Sequence, residues 1–260
     1  MSTIIHPTAI VSDKARIGEN VTIGPFSIVE ENVQIGDNSE IRSSVVLAKG
    51  TRIGENTKVY SGTIIGTEPQ DLKYNNEETY AIIGNNCVIR EYVTINRGTN
   101  HQGTTIVGDD TLIMTYSHIA HDCTVGSNVI MSNATQLAGH VTIGEYCVIG
   151  GMVKVHQFCT VGKYSMVAAD AMVVKDITPF ALTGREPVCI EGVNKIGLRR
   201  RGFGEETIAS IEQFYKRVFF NGLNTTDGVE KYISTQKEIL PEVQECIDFI
   251  RLSKRGIYRG

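Results

Sequence analysis

The chain has 260 residues, a formal net charge of −4, 41% hydrophobic residues and no Trp, which fits one or two globular domains. The acidic balance argues against nucleic acid as a partner, and no apolar run approaches the roughly 18 residues that a membrane span requires. No secretory signal pattern and no CxxC motif is present. We therefore expect a cytoplasmic protein without membrane insertion.

An aliphatic residue recurs at every sixth position through most of the first 186 residues. The two series run from Val11 through Ile17, Ile23 and Val29 to Ile65, and from Val107 through Ile113 and Ile119 to Val173. No α-helix has this period, and it is typical of a parallel β-helix built from hexapeptide repeats. Three short strands would form one coil of about 18 residues. We predict a mainly β fold, a left-handed parallel β-helix over residues 1–186.

The repeat predicts which residues fill the interior of this β-helix and which faces stay uncovered. Four Cys occupy the small, inward position of the repeat, where a thiol packs as a compact hydrophobic group: Cys87, Cys123, Cys147 and Cys159. We expect them to be buried and reduced. The flat outer faces are parallel sheets, which rarely stay uncovered. We therefore expect copies of the chain to pack face to face as an oligomer.

Two loop insertions, at residues 67–81 and 98–104, interrupt the repeat, which returns in phase after each. Loops that leave a regular solenoid commonly form a functional site. After Val173, residues Pro179, Gly184 and Pro187 end the repeat. Helical periodicity follows from about Gly204, which predicts a C-terminal helical domain over residues 187–260. Three amphipathic helices are expected there, the third beginning at Pro241.

Four of the six His fall off the inward positions within about two coils of one another. They are His118, His121, His140 and His156. His121, Gly139 and Gln157 are equivalent positions of successive coils and should form one column, with His140 one coil from Asp122. His121 could be a general base oriented by Asp122, because its ordinary pKa lies near neutrality. Two alternatives remain open: an oligomer interface lined with His, or a zinc site.

Further candidates lie around this column. Gly139 could present its backbone N–H to a substrate oxygen, or it could simply ease a turn. Asp71 and Lys73 could belong to the site or form a solvated pair in the first loop. The Arg at 199–201 suit a diphosphate, since guanidinium groups match phosphate oxygens, or they are only solvated.

Six motifs, in this order, resemble the UDP-N-acetylglucosamine O-acyltransferases of lipid A biosynthesis, a family of hexapeptide-repeat acyltransferases. They are residues 70–74 (QDLKY), 93–99 (VTINRGT), 118–126 (HIAHDCTVG), 137–141 (LAGHV), 155–158 (VHQF) and 197–203 (GLRRRGF). Hexapeptide repeats alone are shared by many acyltransferases, whereas these loop and His motifs are specific. The resemblance spans nearly the whole chain.

The resemblance implies a homotrimer with active sites between subunits, which transfers a 3-hydroxyacyl chain from acyl carrier protein to the 3-hydroxyl of UDP-N-acetylglucosamine, the first step of lipid A biosynthesis. It implies that His121 is the general base, that Asp122 assists it and that the Gly139 N–H stabilises the oxyanion. It implies no metal, no cofactor and no covalent intermediate. The late basic residues are expected to dock the acidic carrier protein.

The same resemblance assigns the substrate-binding residues. The counterparts of Gln70, Asp71, Lys73, His118, His140, His156 and Gln157 lie around the sugar and phosphates, and those of Asn194, Arg200 and Arg201 hold the nucleotide. Three positions depart from the family pattern. Asn96 stands where a His is often found, and Ile196 stands where well-known members place a Glu near the ribose. Ala169 replaces a Gly in the region that limits acyl length.

Three other functions compete with this one. A sister enzyme N-acylates an O-acylated amino sugar, but such enzymes usually carry an extra N-terminal domain, and here the repeat starts by about residue 5. A zinc lyase of the carbonic anhydrase type would contain stoichiometric metal. A purely structural β-helix would bind no UDP-sugar.

Overall fold

The computed structural model describes residues 2–184 and 186–260. Short strands recur through the first three quarters of the chain, because each hexapeptide contributes two extended residues before a turn. They are β1 (Ile4–Ile5), β2 (Ile10–Val11), β3 (Arg16–Ile17), β4 (Thr22–Ile23), β5 (Ile28–Val29), β6 (Gln34–Ile35), β7 (Glu40–Ile41), β8 (Val46–Leu47), β9 (Thr51–Ile53), β10 (Lys58–Val59), β11 (Ile64–Thr67), β12 (Tyr80–Ile83), β13 (Val88–Ile89), β14 (Thr94–Asn96), β15 (Thr104–Val107), β16 (Leu112–Ile113), β17 (His118–Ile119), β18 (Thr124–Val125), β19 (Ile130–Met131), β20 (Gln136–Leu137), β21 (Thr142–Ile143), β22 (Val148–Ile149), β23 (Lys154–Val155), β24 (Thr160–Val161), β25 (Met166–Val167), β26 (Met172–Val173), β27 (Ala181–Thr183) and β28 (Ile190–Val193).

The strands form three sheets, and through β26 consecutive strands belong to different sheets, so each coil contributes one strand to each face. Sheet A runs from β1 through β4 to β25, then β27 and β28. Sheet B contains every third strand from β2 to β26, and sheet C contains every third strand from β3 to β24. Pairing is parallel throughout the solenoid, and β27 and β28 pair antiparallel. The predicted mainly β fold with a parallel β-helix is confirmed.

The core of the β-helix is a stack of aligned aliphatic side chains. Register places Ile95 beside Ile119 and Ile119 beside Leu137, and all three are fully buried. The four inward Cys are buried and free, as predicted, and burial raises the pKa of the Cys147 thiol to about 12. Because each layer repeats the one beneath it, every layer buries apolar area against two similar neighbours.

The three corners of the β-helix differ in regularity. Turns from sheet C to sheet A begin with Gly in eight successive coils and contain no insertion, and we call this edge the glycine corner: Gly18, Gly36, Gly54, Gly84, Gly108, Gly126, Gly144 and Gly162. Turns from sheet B to sheet C contain both insertions, and we call this edge the loop corner. The first loop spans residues 68–79 and the second spans residues 97–103.

Four helices follow the strands and pack against the end of the solenoid. They are α1 (Lys195–Arg200), α2 (Glu205–Phe219), α3 (Thr225–Thr235) and α4 (Pro241–Leu252). The predicted helices correspond to α2, α3 and α4, and α1 was not predicted. Tyr215 of α2 is buried and donates a hydrogen bond to the Thr178 hydroxyl (3.0 Å), which joins the helices to the last coil. β28 lies beyond residue 186, and a domain boundary at that residue stays a prediction.

Candidate active site

The loop corner brings together the central candidate residues. His121 and Asp122 lie in the turn between β17 and β18, and Gly139 and His140 lie in the equivalent turn between β20 and β21. Strand register stacks the second pair directly on the first. The second loop leaves the same corner one coil earlier, beside Asp122. The predicted column is therefore present at the edge where the chain departs from its repeat.

His121 and Asp122 form a hydrogen-bonded pair. Nδ1 of His121 lies 2.8 Å from Oδ2 of Asp122, and the side chains are 12% and 0% exposed. With the ring proton on Nδ1, the imidazole donates to the carboxylate, and the lone pair of Nε2 is available. Within the described residues, Nε2 has no hydrogen-bond partner. This is the arrangement of a general base held in one tautomer by a carboxylate.

Asp122 stays ionised although it is buried. Burial acts to raise the pKa of this carboxyl group, but hydrogen bonds from His121 and Thr99 outweigh it and hold the pKa below its ordinary value. The backbone of Asp122 has a φ of 58°, and its N–H donates to the Thr105 hydroxyl (2.9 Å). That left-handed turn directs the side chain beneath the second loop, a position that the repeat pattern does not reveal.

His140 completes a cluster of aromatic rings above the pair. Its ring is stacked on Phe158 with centroids 4.4 Å apart and contacts the edges of His121 and His101. Burial lowers the pKa of His140, and Asp122 opposes this only in part. Its Nδ1 is buried, has no hydrogen-bond partner among the described residues, and lies 3.8 Å from Oδ2 of Asp122. A neutral His140 ring does not form an ion pair with Asp122, so the carboxylate keeps its hydrogen bond to His121.

Gly139 is required by the position of the His121 ring. A Cβ at residue 139 would lie 2.7 Å from Cε1 and 2.8 Å from Nε2 of His121, closer than real Cβ contacts occur. Its φ is not in the left-handed region, so easing of a turn does not explain it. Within the described residues, the Gly139 N–H has no acceptor. An unused donor therefore lies in a turn that is packed against the His121 ring.

A metal ion could also be held at this position. Ligand atoms of His121, Asp122 and His140 all lie within 4.8 Å of one another, and they form the one such group in the described part of the chain. The 2.8 Å separation between His121 and Asp122 is a hydrogen-bond distance. The zinc alternative therefore requires the hydrogen bond between the pair to be replaced by two bonds to the metal.

Comparison with known proteins extends these observations to the whole chain. Residues 176–258 match the family described as Udp N-acetylglucosamine O-acyltransferase, domain 2, residues 104–139 match the bacterial transferase hexapeptide family, and residues 2–102 match the GMPPB C-terminal domain. The acyl-[acyl-carrier-protein]--UDP-N-acetylglucosamine O-acyltransferase of Aquifex aeolicus is 55% identical, with 98% of each chain covered. The equivalent protein of Sulfurihydrogenibium sp. (strain YO3AOP1) is 54% identical over 97% of this chain and 93% of its own length.

The chain belongs to the UDP-N-acetylglucosamine O-acyltransferase family. A crystal structure of the Bacteroides fragilis UDP-N-acetylglucosamine acyltransferase superposes with a TM-score of 0.95 at 44% identity, covering 98% of this chain and all of that one. The family expected from the motifs is thereby confirmed, and the protein is an acyltransferase. In residues 2–184 and 186–260, no helix combines the length and the apolar character that crossing a bilayer demands.

The first loop of this acyltransferase lies beside the His cluster. Asp71 is near enough that its charge acts on the pKa of His140, while burial still lowers that pKa. Gln70 and Lys73 are exposed, and Asp71 accepts a hydrogen bond from the backbone N–H of Lys73 (3.0 Å) without an ion pair between their side chains in the described residues. Asp71 and Lys73 are therefore not a simple charge pair.

Two of the remaining candidates at or beside the loop corner, His118 in β17 and His156, have hydrogen-bond partners. His118 contacts the Thr94 hydroxyl through Nδ1 (2.7 Å), and burial lowers its pKa. His156 is exposed, and the Arg255 guanidinium donates to its Nδ1 (3.1 Å). Gln157 is also exposed, one coil from Gly139. Together with His121 and His140, these residues line one edge of the solenoid.

The candidates in the C-terminal part lie on a different edge. Asn194 caps α1 through Gly197 and donates to the Tyr164 carbonyl (2.9 Å), and Arg201 stacks over the Tyr146 ring (4.8 Å). Tyr146 and Tyr164 belong to the glycine corner. A single chain therefore does not bring these residues to His121. Arg200 is exposed, and it has no ion-pair partner in the described part of the chain.

The three departures from the family pattern occupy distinct environments. Asn96 is buried and donates to the Glu68 carbonyl (2.8 Å), so it fastens the base of the first loop to the solenoid. Ile196 is 65% exposed on α1, and Ala169 is exposed in the turn after β25. Asn96 thus has a structural contact, while Ile196 and Ala169 face outward from the single chain.

Sequence reasoning missed Thr99, His101 and Phe158, which surround the pair of His121 and Asp122. The second loop is expected from the sequence to serve a site, but no role is assigned to any of its residues. Its position one coil before His121 is the signal that could have directed attention to its polar residues, since binding and catalytic residues are often on loops.

Proposed function

We propose that this chain transfers a 3-hydroxyacyl chain from acyl carrier protein to the 3-hydroxyl of UDP-N-acetylglucosamine, as the first step of lipid A biosynthesis. The observation that carries the proposal is the His121 ring, which Asp122 holds and which lies against the backbone of Gly139, while Nε2 of the ring and the Gly139 N–H have no partner in the described residues. Family membership supports the donor and the acceptor. A cytoplasmic location fits the six free Cys, because disulfides are rare in the cytosol.

The chemistry needs a base and an oxyanion donor. Nε2 of His121 accepts the proton of the sugar hydroxyl as its oxygen attacks the thioester carbon, and Asp122 stabilises the imidazolium that forms. The Gly139 N–H donates to the developing oxyanion, a contact worth on the order of 10² in rate. When the tetrahedral centre collapses, the thiolate of the carrier leaves and takes the proton from His121. No metal, cofactor or covalent enzyme intermediate takes part.

Substrate-binding roles follow the same geometry. We assign the sugar and phosphates to residues at or beside the loop corner: Gln70, Asp71, Lys73, His118, His140, His156 and Gln157. We assign the nucleotide to Asn194, Arg200 and Arg201, where guanidinium groups suit phosphate oxygens. The region around Ala169 is assigned to the acyl chain.

A homotrimer would join these two groups of residues. The His residues and the Arg residues lie on different edges of one chain, so a site that uses both takes them from two copies. The outer face of sheet A supports such packing, because a column of half-buried apolar side chains runs along it: Val88, Leu112, Ile130, Val148 and Met166. A neighbouring copy would cover this column.

The reaction is tested by mass spectrometry of products from UDP-N-acetylglucosamine offered with 3-hydroxyacyl carrier proteins of several chain lengths. Acyl transfer is expected with the wild type, and almost none with His121→Ala in a folded oligomer. Near wild-type turnover of that variant would remove His121 from the mechanism. Metal analysis of the purified protein addresses the zinc lyase, which stoichiometric zinc would favour.

The shared site is tested by mixing two inactive subunits. We expect His121→Ala and Arg201→Ala subunits, co-expressed with different tags, to form mixed oligomers that regain part of the activity. Each mixed oligomer would contain a site with both residues intact. Mixed oligomers without activity would contradict a site built from two copies.

A further inference from the structure

The second loop closes over Asp122 and supplies most of its hydrogen bonds. Oδ1 accepts from the backbone N–H of Thr99 (2.9 Å) and of Gln102 (3.3 Å), and Oδ2 accepts from the Thr99 hydroxyl (2.7 Å). The fourth donor is Nδ1 of His121 on Oδ2. Both carboxylate oxygens are therefore bonded on the side of the loop, and one direction remains for His121.

The hydroxyl proton of Thr99 has one available direction. The N–H of His101 donates to Thr99 Oγ1 (3.2 Å), so an oxygen lone pair is already engaged and the single proton points to Asp122. The Thr99 carbonyl in turn accepts from the Gly103 N–H (2.7 Å), which closes the loop on itself. Thr99 is almost fully buried, so water does not compete for these bonds.

We propose that Thr99 is a positioning residue for acyl transfer: its hydroxyl and N–H fix the Asp122 carboxylate so that His121 is held in the tautomer that accepts a proton. Thr99 lies on the far side of Asp122 from His121 and acts only through that carboxylate. This inference rests on the proposed function, because it assigns to the second loop a role in the chemistry of His121.

The number of donors on Asp122 supports a positioning role for Thr99. A carboxylate that could rotate about its Cβ–Cγ bond would offer His121 a moving acceptor, and the ring would exchange between tautomers. Two donors from one residue, on both oxygens, prevent that rotation. Because a preorganised base contributes only when its geometry is already set, loss of one donor should act on kcat rather than on substrate affinity.

The test compares Thr99→Val, Thr99→Ser and Thr111→Val. Thr99→Val keeps the branched shape and the N–H but removes the hydroxyl, and we expect kcat to fall about tenfold with KM for the nucleotide sugar within twofold, as for a lost hydrogen bond to a charged group. Thr99→Ser keeps the hydroxyl and should stay within twofold of wild type. Thr111→Val removes a similarly buried hydroxyl that bonds the Gly126 carbonyl (3.1 Å) at the glycine corner, and it should leave kcat unchanged.

A double variant separates positioning from general damage. In the His121→Ala background, Thr99→Val should lower the residual rate no further, because Thr99 acts through the missing base. A further tenfold loss there would overturn the proposal, as would wild-type kcat for Thr99→Val or an inactive Thr99→Ser. If Thr99→Val does not fold, the Ser variant still decides. The proposed function fails separately, through an inactive wild type or an active His121→Ala.

Discussion

The glycine corner and the loop corner are built from the same hexapeptide and have diverged in opposite directions. Eight turns of the glycine corner begin with Gly and contain no insertion, and the backbones of successive turns lie so close that a Cβ on Gly54 would be 2.6 Å from the Gly84 carbonyl carbon. At the loop corner both insertions leave the solenoid, and Gly139 lies against an imidazole ring instead of a backbone. One corner holds the coils together, and the other holds the candidate chemistry.

The difference shows how a solenoid can carry a site without loss of register. The turns at the glycine corner and the aliphatic layers keep the coils in step, so the loop corner can extend by several residues and return in phase. A turn glycine therefore makes room for backbone at one corner and for a side chain, the His121 ring, at the other.

The largest expected effect is loss of activity in Gly139→Ala. The added Cβ would displace the His121 ring and crowd the N–H proposed for the oxyanion, so we expect kcat to fall on the order of 10²-fold or more. The thermal midpoint should change little, because the ring can move toward solvent. Transfer assays and thermal unfolding measure the two quantities, and an active variant would remove the distinction between the corners.

Gly54→Ala should have the reverse outcome. Its Cβ meets backbone atoms of the next coil, which cannot move without separating the layers, and we expect the free energy of unfolding to fall by about 1–3 kcal/mol. Denaturant titration measures this change. The folded fraction should keep wild-type kcat, and a loss of turnover without loss of stability would contradict the assignment.

Ala134→Asn, in the turn between β19 and β20, should raise the free energy of unfolding by a smaller amount than Gly54→Ala lowers it. Ala134 has a φ of 58°, while five equivalent third turn positions of the glycine corner carry Asn: Asn20, Asn38, Asn56, Asn86 and Asn128. Asn tolerates this left-handed conformation better than Ala, so the free energy of unfolding should rise by up to about 1 kcal/mol. A lower denaturation midpoint would contradict the expectation that the left-handed conformation of residue 134 costs stability when Ala occupies it.

The smallest expected effect is in the pH dependence of stability. Burial holds the pKa of His140 below the ordinary 6.5, so below that pH the unfolded chain takes up a proton that the folded ring resists. The contribution of His140 to stability is thus lost as pH falls through 6.5 toward its folded pKa. Denaturant titrations at several pH values should show a shallower decline for His140→Asn, and an unchanged slope would contradict a buried neutral ring.

The sequence by itself determined the β-helix, the two loops and the column of His121 and Gly139. It could do so because a hexapeptide period fixes which side chains point inward, and residues one coil apart must then stack. The helices after Gly204 were also predictable from their apolar period. The short α1 was not, since it is only six residues long and too short to show an apolar period.

Only the tertiary structure decided what surrounds the column. Nothing in the period shows that the second loop folds back so that Thr99 covers Asp122, or that Gly139 is needed to admit an imidazole ring. Nor does it show that Arg201 lies on Tyr146, at another corner from His121. These relations join residues of separate loops and elements, and their positions depend on packing between elements, which local sequence pattern does not encode.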